Sequence, residues 1–415
     1  MTGAAPPVGP GRRVAFVAEE LHSSGGLELF ELAIAESLAR RGWQLELSYR
    51  GDGDLLERWQ AVATVHPRSA GGASTDDAGA VDAAELAAVV AGADVVYCHW
   101  VHLMGHSLDA ARAHGIPVVG HLHLPPFHLR QGWRALVKGR HRWRMDPRVW
   151  SKRSEIDAFA AVSDFTRGQW VRSGVPASRV RTVHNGVDPT VYRPADPDER
   201  RAVRAEVGAG DDDVVIGYVG RIDRVKGIHH LVDAYRELAA TDARLRLVVI
   251  GAPTRDDVEG GERFARELQA RSPASVTWLG KRRDVDRWYR GFDALVVPSE
   301  WDEPFGLVVV EAMASGVPVL ASRRGGIPEI LTGPLARWLV EPAADSIRDG
   351  LARLLAEDLA ALGRAARAHV LDRFTVDHTA TGVERMLLDA IDAIDAIDAT
   401  GPAGSSAPRA TGPRA

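Results

Sequence analysis

Glu303 and Glu311 stand eight residues apart in the stretch P-S-E-W-D-E-P-F-G-L-V-V-V-E-A-M-A-S-G-V-P-V-L-A-S, Pro298 to Ser322. A carboxylate can accept both hydroxyls of a diol, and free backbone amides at a helix start can donate to sugar oxygens. The stretch supplies both. Leu295 to Val297 reads as a strand ending at Pro298, a loop carries Glu303, and a helix opens at Phe305-Gly306. The amides near Phe305, Gly306 and Leu307 are those of the helix start. Glu311 falls roughly one and a half turns inside that helix. An isolated pair at this spacing would be two surface charges. Here three Val precede Glu311 and Ala-Met-Ala follows it, which is not a solvated face. Gly316-Val317-Pro318 closes the helix and Val317 to Ala321 forms the next strand.

Two cations offer complementary chemistry. Arg221 and Lys226 are five apart in G-R-I-D-R-V-K-G, directly after the apolar run Val214 to Val219. A strand, a glycine-flanked loop and a helix start can hold a phosphate-sized anion between two such side chains. No Ser or Thr follows Lys226, so this is not a Walker loop, and neither half carries the dinucleotide G-x-G-x-x-G. In the first half Gly25-Gly26 forms a turn that lets a ligand approach the backbone. His123 ends the strand that starts at Ile116, and His121 points the same way on a regular strand. No Cys/His/Asp spacing matches a metal site, so no metal is expected.

These residues need a scaffold, and the chain has room for one. Its 415 residues suit two domains of roughly 190 each. Hydrophobic content of 45% and charged content of 26% are ordinary for a globular protein, and a net charge of −5 argues against a polyanion binder. The single cysteine, Cys98, allows no intrachain disulfide and points to a reducing compartment, so a cytoplasmic location is expected. The first residues lack an apolar signal core and no apolar run is long enough to span a bilayer. The Ala/Arg/Gly-rich composition suggests a bacterial gene.

Strands and helices alternate in both halves. Arg13 to Ala18, Gln44 to Ser48, Ala61 to His66, Asp94 to Cys98, Ile116 to His123, Ala158 to Val162 and Val180 to His184 read as strands. Helices are expected at Leu27 to Arg41, Val81 to Ala91, Ser107 to His114 and Asp164 to Ser173, the last capped by Ser163. The pattern restarts at Val214, with strands Leu245 to Ile250 and Val276 to Leu279. Repeated βαβα order implies an α/β protein of two doubly wound parallel sheets facing a cleft. The expected divisions are a disordered 1–11, a first domain 12–190, a linker 191–212, a second domain 213–375, a helix 376–396 returning to the first domain, and a disordered tail 400–415. The repeat D-A-I-D-A-I-D-A near Ile391 extends that helix without an evident function.

Residues 130 to 153 differ from the rest. They hold nine Lys/Arg and one acid, Asp146, with Trp133, Trp143 and Trp150 interleaved. The segment reads either as a solvated helical excursion or as a surface for an anionic acceptor or the anionic inner face of a membrane. No nucleic-acid-binding motif accompanies it, and nucleic acid is not an expected partner.

The ordered set of motifs resembles glycosyltransferase family 4, the retaining glycosyl transferases group 1 of GT-B fold. It comprises G-G at 25, P-V-V-G-H-L-H at 117, A-V-S-D-F-T-R at 161, N-G-V-D at 185, G-R-I-D-R-V-K-G at 220, the E-P-F-G-L-V-V-V-E segment, and G-G-I-P-E at 325. The resemblance spans most of residues 13 to 390 and is specific for the family, not for a substrate. It implies two Rossmann-like domains, an acceptor domain and a nucleotide-sugar donor domain. It implies a catalytic set of His123, Arg221, Lys226 and Glu303. Arg221 and Lys226 would hold the donor diphosphate, Glu303 the sugar hydroxyls with the amides of Phe305, Gly306 and Leu307, and Glu311 the ribose. Gly25 and Gly26 would line the cleft, and Lys281 and Arg282 fall where the base sits. It implies transfer from a nucleotide diphosphate sugar to a hydroxyl of a glycan, lipid-linked or small-molecule acceptor, with no cofactor. His184 departs from the pattern, which often has Pro before Asn-Gly. A non-catalytic sugar-nucleotide or glycan binder, or an epimerase on the same scaffold, stays open as an alternative.

Overall fold

A computed structural model describes residues 11–22, 26–68, 83–99, 101–126, 152, 154–253 and 261–400. Gly25, the expected polar loop from Ser69, almost all of the basic segment 130–153 and the tail beyond Thr400 lie outside them.

The first half forms a parallel sheet of strands β1 (Arg13–Val17), β2 (Gln44–Tyr49), β3 (Thr64–Pro67), β4 (Val95–Cys98), β5 (Val118–Leu122), β6 (Ala158–Ala161) and β7 (Val180–Thr182). Their order is β3-β2-β1-β4-β5-β6-β7. The second half supplies β8 (Val214–Val219), β9 (Leu245–Ile250), β10 (Val276–Gly280), β11 (Ala294–Val297), β12 (Val319–Ser322) and β13 (Leu339–Val340), ordered β10-β9-β8-β11-β12-β13. Strand order reverses between β1 and β4 and again between β8 and β11. Open α/β sheets leave a ligand crevice at such points, outside the carboxyl ends of the strands.

The strands read as unbroken apolar runs because both faces are covered. Val14 and Phe16 of β1 pack into the core under the helices Gly26–Arg40 and Val376–Thr400. Ala15 and Val17 face the opposite layer, formed by the helices Ala83–Val90, Val101–Arg112 and Asp164–Arg172. In β11, Leu295 and Val297 pack beneath the helices Leu307–Ala314 and Leu359–Arg373. Ala294 and Val296 pack beneath Ile228–Ala239 and Ala344–Leu355.

Two local expectations are corrected. The helix expected from Ser107 begins at Val101. Leu103, Met104, Leu108 and Ala111 give it a buried face at helical spacing, which Gly105 and the neighbouring histidines obscure in sequence. The stretch expected as a plain linker contains the helix Pro197–Ala205, started by a capping box of Asp196 and Glu199 with proline in its first turn. Arg204 docks that helix on Asp293, 2.8 Å away, at the head of β11.

The long helix Val376–Thr400 follows the second sheet but packs on the first. Val383, Met386, Leu387 and Ile391 join Val14, Phe16 and Leu47 in one core. Arg41 pairs with Glu384 at 2.8 Å, and the Trp43 indole N–H donates to the same carboxylate at 2.9 Å.

Candidate active site

The loops that leave β8 and β11 are laced together. The amides of Glu300 and Trp301 both donate to the Val225 carbonyl at 2.9 Å. Asp223 caps the short turn Arg224–Lys226 by accepting the Lys226 amide at 2.9 Å. Gly227 then turns the chain into the helix Ile228–Ala239 with φ +68°, and a Cβ there would lie 1.9 Å from the Pro298 carbonyl oxygen. Only glycine fits, because conformation and contact both exclude a side chain.

This closeness brings Lys226 and Glu303 together. Nζ lies 2.6 Å from Oε1 of Glu303, and the Ser299 hydroxyl donates to the same oxygen at 2.8 Å. Glu303 is 13% exposed and Lys226 22%, so the pair is open on one side. Its backbone is gripped by the turn at 325, where the Gly326 amide donates to the Glu303 carbonyl at 2.8 Å. Arg221 is mostly exposed and sits 3.2 Å from Asp223. Phe305 and Gly306 lead into the helix Leu307–Ala314, whose first residues have no side-chain cap. The site therefore holds two cations, a carboxylate and a helix start that no side chain caps among the described residues, a set suited to an anion joined to a polyol.

Glu311 is held by different partners. Its two carboxylate oxygens accept the hydroxyls of Tyr192, at 3.1 Å, and Tyr289, at 2.8 Å. Burial pushes the Glu311 carboxyl up from its ordinary value, and the two phenol bonds oppose that shift. The sequence reading did not find either tyrosine. They lie 119 and 22 residues from Glu311, with nothing in spacing to mark them. Lys281 is exposed just after β10, whereas Arg282 is bound to Asp284 at 2.9 and 2.8 Å and its guanidinium lies 5.5 Å from the Trp288 ring.

Across the cleft, His123 follows β5, and its ring stacks on His121 at 4.2 Å between centroids. His123 Nε2 lies 2.9 Å from Nδ1 of His99, and the Tyr97 hydroxyl is 2.6 Å from Nδ1 of His121. His99 was missed in sequence. The pairing Cys98↔Gly120 sets the residues after β4 beside those of β5 and brings it in. Burial holds His123 down to about 3 and holds His99 and His121 well below the usual range, so all three are neutral at pH 7. Their ring nitrogens lie within 4.8 Å of one another, a set that could ligate a metal, as could His229, His230 and Glu300. No sequence spacing announced either cluster. Gly26 opens the helix Gly26–Arg40 on this side.

The halves meet beside the Glu303 loop. Glu329 accepts the amides of Asp164, at 2.7 Å, and Phe165, at 2.8 Å, and lies 2.9 Å from His184 Nε2. Ser163 and Thr166 donate to the carbonyl of Pro304, next to Glu303.

Residues 199–369 match the family model of glycosyl transferases group 1, and residues 24–191 match that of glycosyltransferase family 4. The alpha-maltose-1-phosphate synthase of Mycolicibacterium smegmatis is 32% identical over 309 residues, which cover 69% of this chain and 77% of that protein. The D-inositol 3-phosphate glycosyltransferase of Segniliparus rotundus is 34% identical over 210 residues, 49% of this chain and 46% of that protein. This chain thus spans about half the length of that relative. The crystal structure of Anabaena HepE with UDP-glucose superposes with a TM-score of 0.72 at 21% identity, covering 91% of this chain and 99% of that one. The chain belongs to glycosyltransferase family 4, and its fold is GT-B.

Proposed function

We propose that this protein is a retaining glycosyltransferase that moves a sugar from a nucleotide diphosphate sugar to a hydroxyl of a glycan, lipid-linked or small-molecule acceptor. The observation that carries the reading is the Lys226–Glu303 pair at 2.6 Å, set between the ends of β8 and β11 beside an uncapped helix start. Arg221 and Lys226 take the donor diphosphate and stabilise it as it leaves. Glu303 takes hydroxyls of the donor sugar with the amides of Phe305, Gly306 and Leu307. Glu311, positioned by Tyr192 and Tyr289, takes the ribose. Lys281 borders the base. His123, neutral and facing from the first half, lies near the transferred sugar, with Gly26 on the same side.

The acceptor hydroxyl attacks the anomeric carbon on the face the phosphate leaves. The new glycosidic bond forms as the bond to the phosphate oxygen breaks, and that oxygen receives the acceptor's proton. This step requires neither a metal nor a side-chain base. The Anabaena neighbour was solved with UDP-glucose, which makes UDP the first base to try. Cys98 is buried, and a single cysteine allows no intrachain disulfide, which fits a reducing cytoplasmic site of action. No helix among the described residues is long and apolar enough to cross a membrane. The basic segment gives a peripheral route to an anionic leaflet.

A thermal-shift screen against UDP, GDP and ADP, with and without EDTA, tests the proposal. One nucleotide stabilising the protein regardless of EDTA supports it. No response to any nucleotide, or a response abolished by EDTA, overturns it. Sugar-nucleotide turnover without an acceptor would instead indicate an epimerase.

A further inference from the structure

His229, His230 and Glu300 meet beside the donor loops without entering the donor chemistry. The two histidines open the helix Ile228–Ala239, directly after Lys226, Gly227 and Ile228. Glu300 lies in the loop that leaves β11, ahead of Glu303. Side chains at adjacent helix positions ordinarily face different ways. Here the two rings instead close to 4.0 Å between centroids. Nε2 of His230 lies 2.9 Å, and Nε2 of His229 3.3 Å, from the same Glu300 oxygen, Oε1. Nδ1 of His229 is buried and has no hydrogen-bond partner. Phe264 packs against that ring in a T-shaped contact.

The arrangement fits a metal ion. One ligand atom from each of the three residues lies within 4.8 Å of the others. A tetrahedral zinc ion with bonds of about 2.0–2.1 Å spaces its ligand atoms about 3.3 Å apart. The distances of 2.9 and 3.3 Å to Oε1 are close to that spacing. Zinc's filled d shell imposes no angular preference, so it accepts two adjacent histidines. Burial, with His230 beside it, lowers the His229 pKa and keeps that ring neutral at pH 7. The Glu300 side chain is 42% exposed, which gives an ion a way in and leaves room for water as a further ligand. The cluster of His99, His121 and His123 is less suited. Imidazole lone pairs lie in the ring plane, and His123 is within 18° of parallel to His99 and 24° of parallel to His121. Those lone pairs run side by side instead of converging.

We propose that His229, His230 and Glu300 bind a zinc-class divalent ion that ties the two donor loops together. The amides of Glu300 and Trp301 already bond the Val225 carbonyl, next to Lys226. An ion held by Glu300 and the two histidines adds a side-chain link across the same seam, between the segment that presents Lys226 and the one that presents Glu303. The ion takes no part in sugar transfer, and the site stands apart from the transferase reading.

Calorimetry with Zn2+ on chelator-stripped protein, without nucleotide, reads the site directly. Wild type should bind Zn2+, and Mg2+ far more weakly. Co2+ should take the same place and show the visible absorption of a four-coordinate ion. Losing even a supporting partner costs a site about tenfold or more in metal affinity, so Glu300→Gln and His230→Gln should each lose at least that much for Zn2+. Zn2+ should raise the melting temperature of wild type and of neither variant. Without metal, both variants should melt close to metal-free wild type, which separates a lost ligand from a lost fold. Bound Zn2+ should also slow hydrogen exchange at the Glu300 and Trp301 amides. Zn2+ binding unchanged in both variants, or lost in His121→Phe instead, overturns the proposal, as does Mg2+ binding as tight as Zn2+. Exchange at the two amides unaltered by bound Zn2+ would sink the tie between the loops. Nucleotide stabilisation should persist after stripping. Failure of every nucleotide to bind would count against the transferase reading while leaving Zn2+ binding at these residues separately measurable.

Discussion

Glu329 of the second half caps the helix that begins at Asp164 in the first, its carboxylate oxygens 2.7 and 2.8 Å from the amides of Asp164 and Phe165. Helix starts are usually capped from within their own segment, here by Ser163. The second cap comes from 165 residues further along the chain. Glu329→Ala should cost about 1–2 kcal/mol of stability, and Glu329→Gln, which keeps an acceptor, should cost less. Urea denaturation of the three proteins measures the order. Equal stability of wild type and Glu329→Ala would show that the cap contributes nothing.

Lys226→Met removes the cation beside Glu303. Its diphosphate affinity should fall by about tenfold or more, equivalent to roughly 1.4 kcal/mol or more, while Glu303→Gln should retain nucleotide binding and lose turnover. Titration calorimetry and initial rates separate the two. The reverse pattern would exchange the roles assigned to these residues.

Glu311 ties stability to pH. Its folded pKa is raised, so the folded state holds its proton more tightly than the unfolded chain does. Its contribution to stability is therefore full below the unfolded carboxylate value, about 4.3, and is lost as pH rises through the folded value. Glu311→Gln should remove this loss and gain stability relative to wild type between pH 4 and 8, yet bind the nucleotide sugar weakly. Denaturant midpoints across that range, with donor titrations, check both effects. Undiminished donor affinity in Glu311→Gln would remove the ribose assignment.

The histidine cluster has the opposite sign. His123 is depressed from 6.5 to about 3, and His121 is also lowered. Such groups stabilise the fold above pH 6.5 and lose that contribution as pH falls, by about 1.4 kcal/mol per pH unit for each histidine. His121→Phe should flatten the acid limb of the stability curve. An acid limb as steep as that of wild type would place the sensitivity elsewhere.

Gly227→Ala should be severe. It combines positive φ with a clash against Pro298, so a loss above about 2 kcal/mol is expected, together with loss of nucleotide binding. Differential scanning calorimetry and the nucleotide screen test it. A variant with normal melting would mean that the two loops can separate freely.

Much of this was readable in sequence because it is local. Apolar runs ending at Val219 and Val297 located the loops, and Gly227 and Gly306 marked their passage into helices, while the positive φ at both emerged only in the structure. Lys226 and Glu303 were both singled out, but nothing along the chain said that they touch. Register and packing decide such meetings. His99 joins His121 and His123 only because β4 lies beside β5, and Tyr192 reaches Glu311 only because the chain between the sheets folds back on the second half. Glu329 lay inside the quoted G-G-I-P-E, yet its partners Asp164 and His184 come from the first half. Periodicity reads one segment at a time, and the Glu329 and Tyr192 contacts join segments more than a hundred residues apart.

The helix Val376–Thr400 has a consequence for synthesis of the chain. Val383, Met386, Leu387 and Ile391 complete the core of the first sheet but leave the ribosome after every strand of the second. Until they arrive, the seat beside Val14, Phe16 and Leu47 is open to water. Nascent domains ordinarily fold in the order they emerge; this one must wait until the whole second sheet has been made. A fragment stopping near residue 190 would keep every strand of its sheet and still expose an apolar groove, prone to aggregation. Supplying residues 376–400 as a separate peptide would be the way to close it.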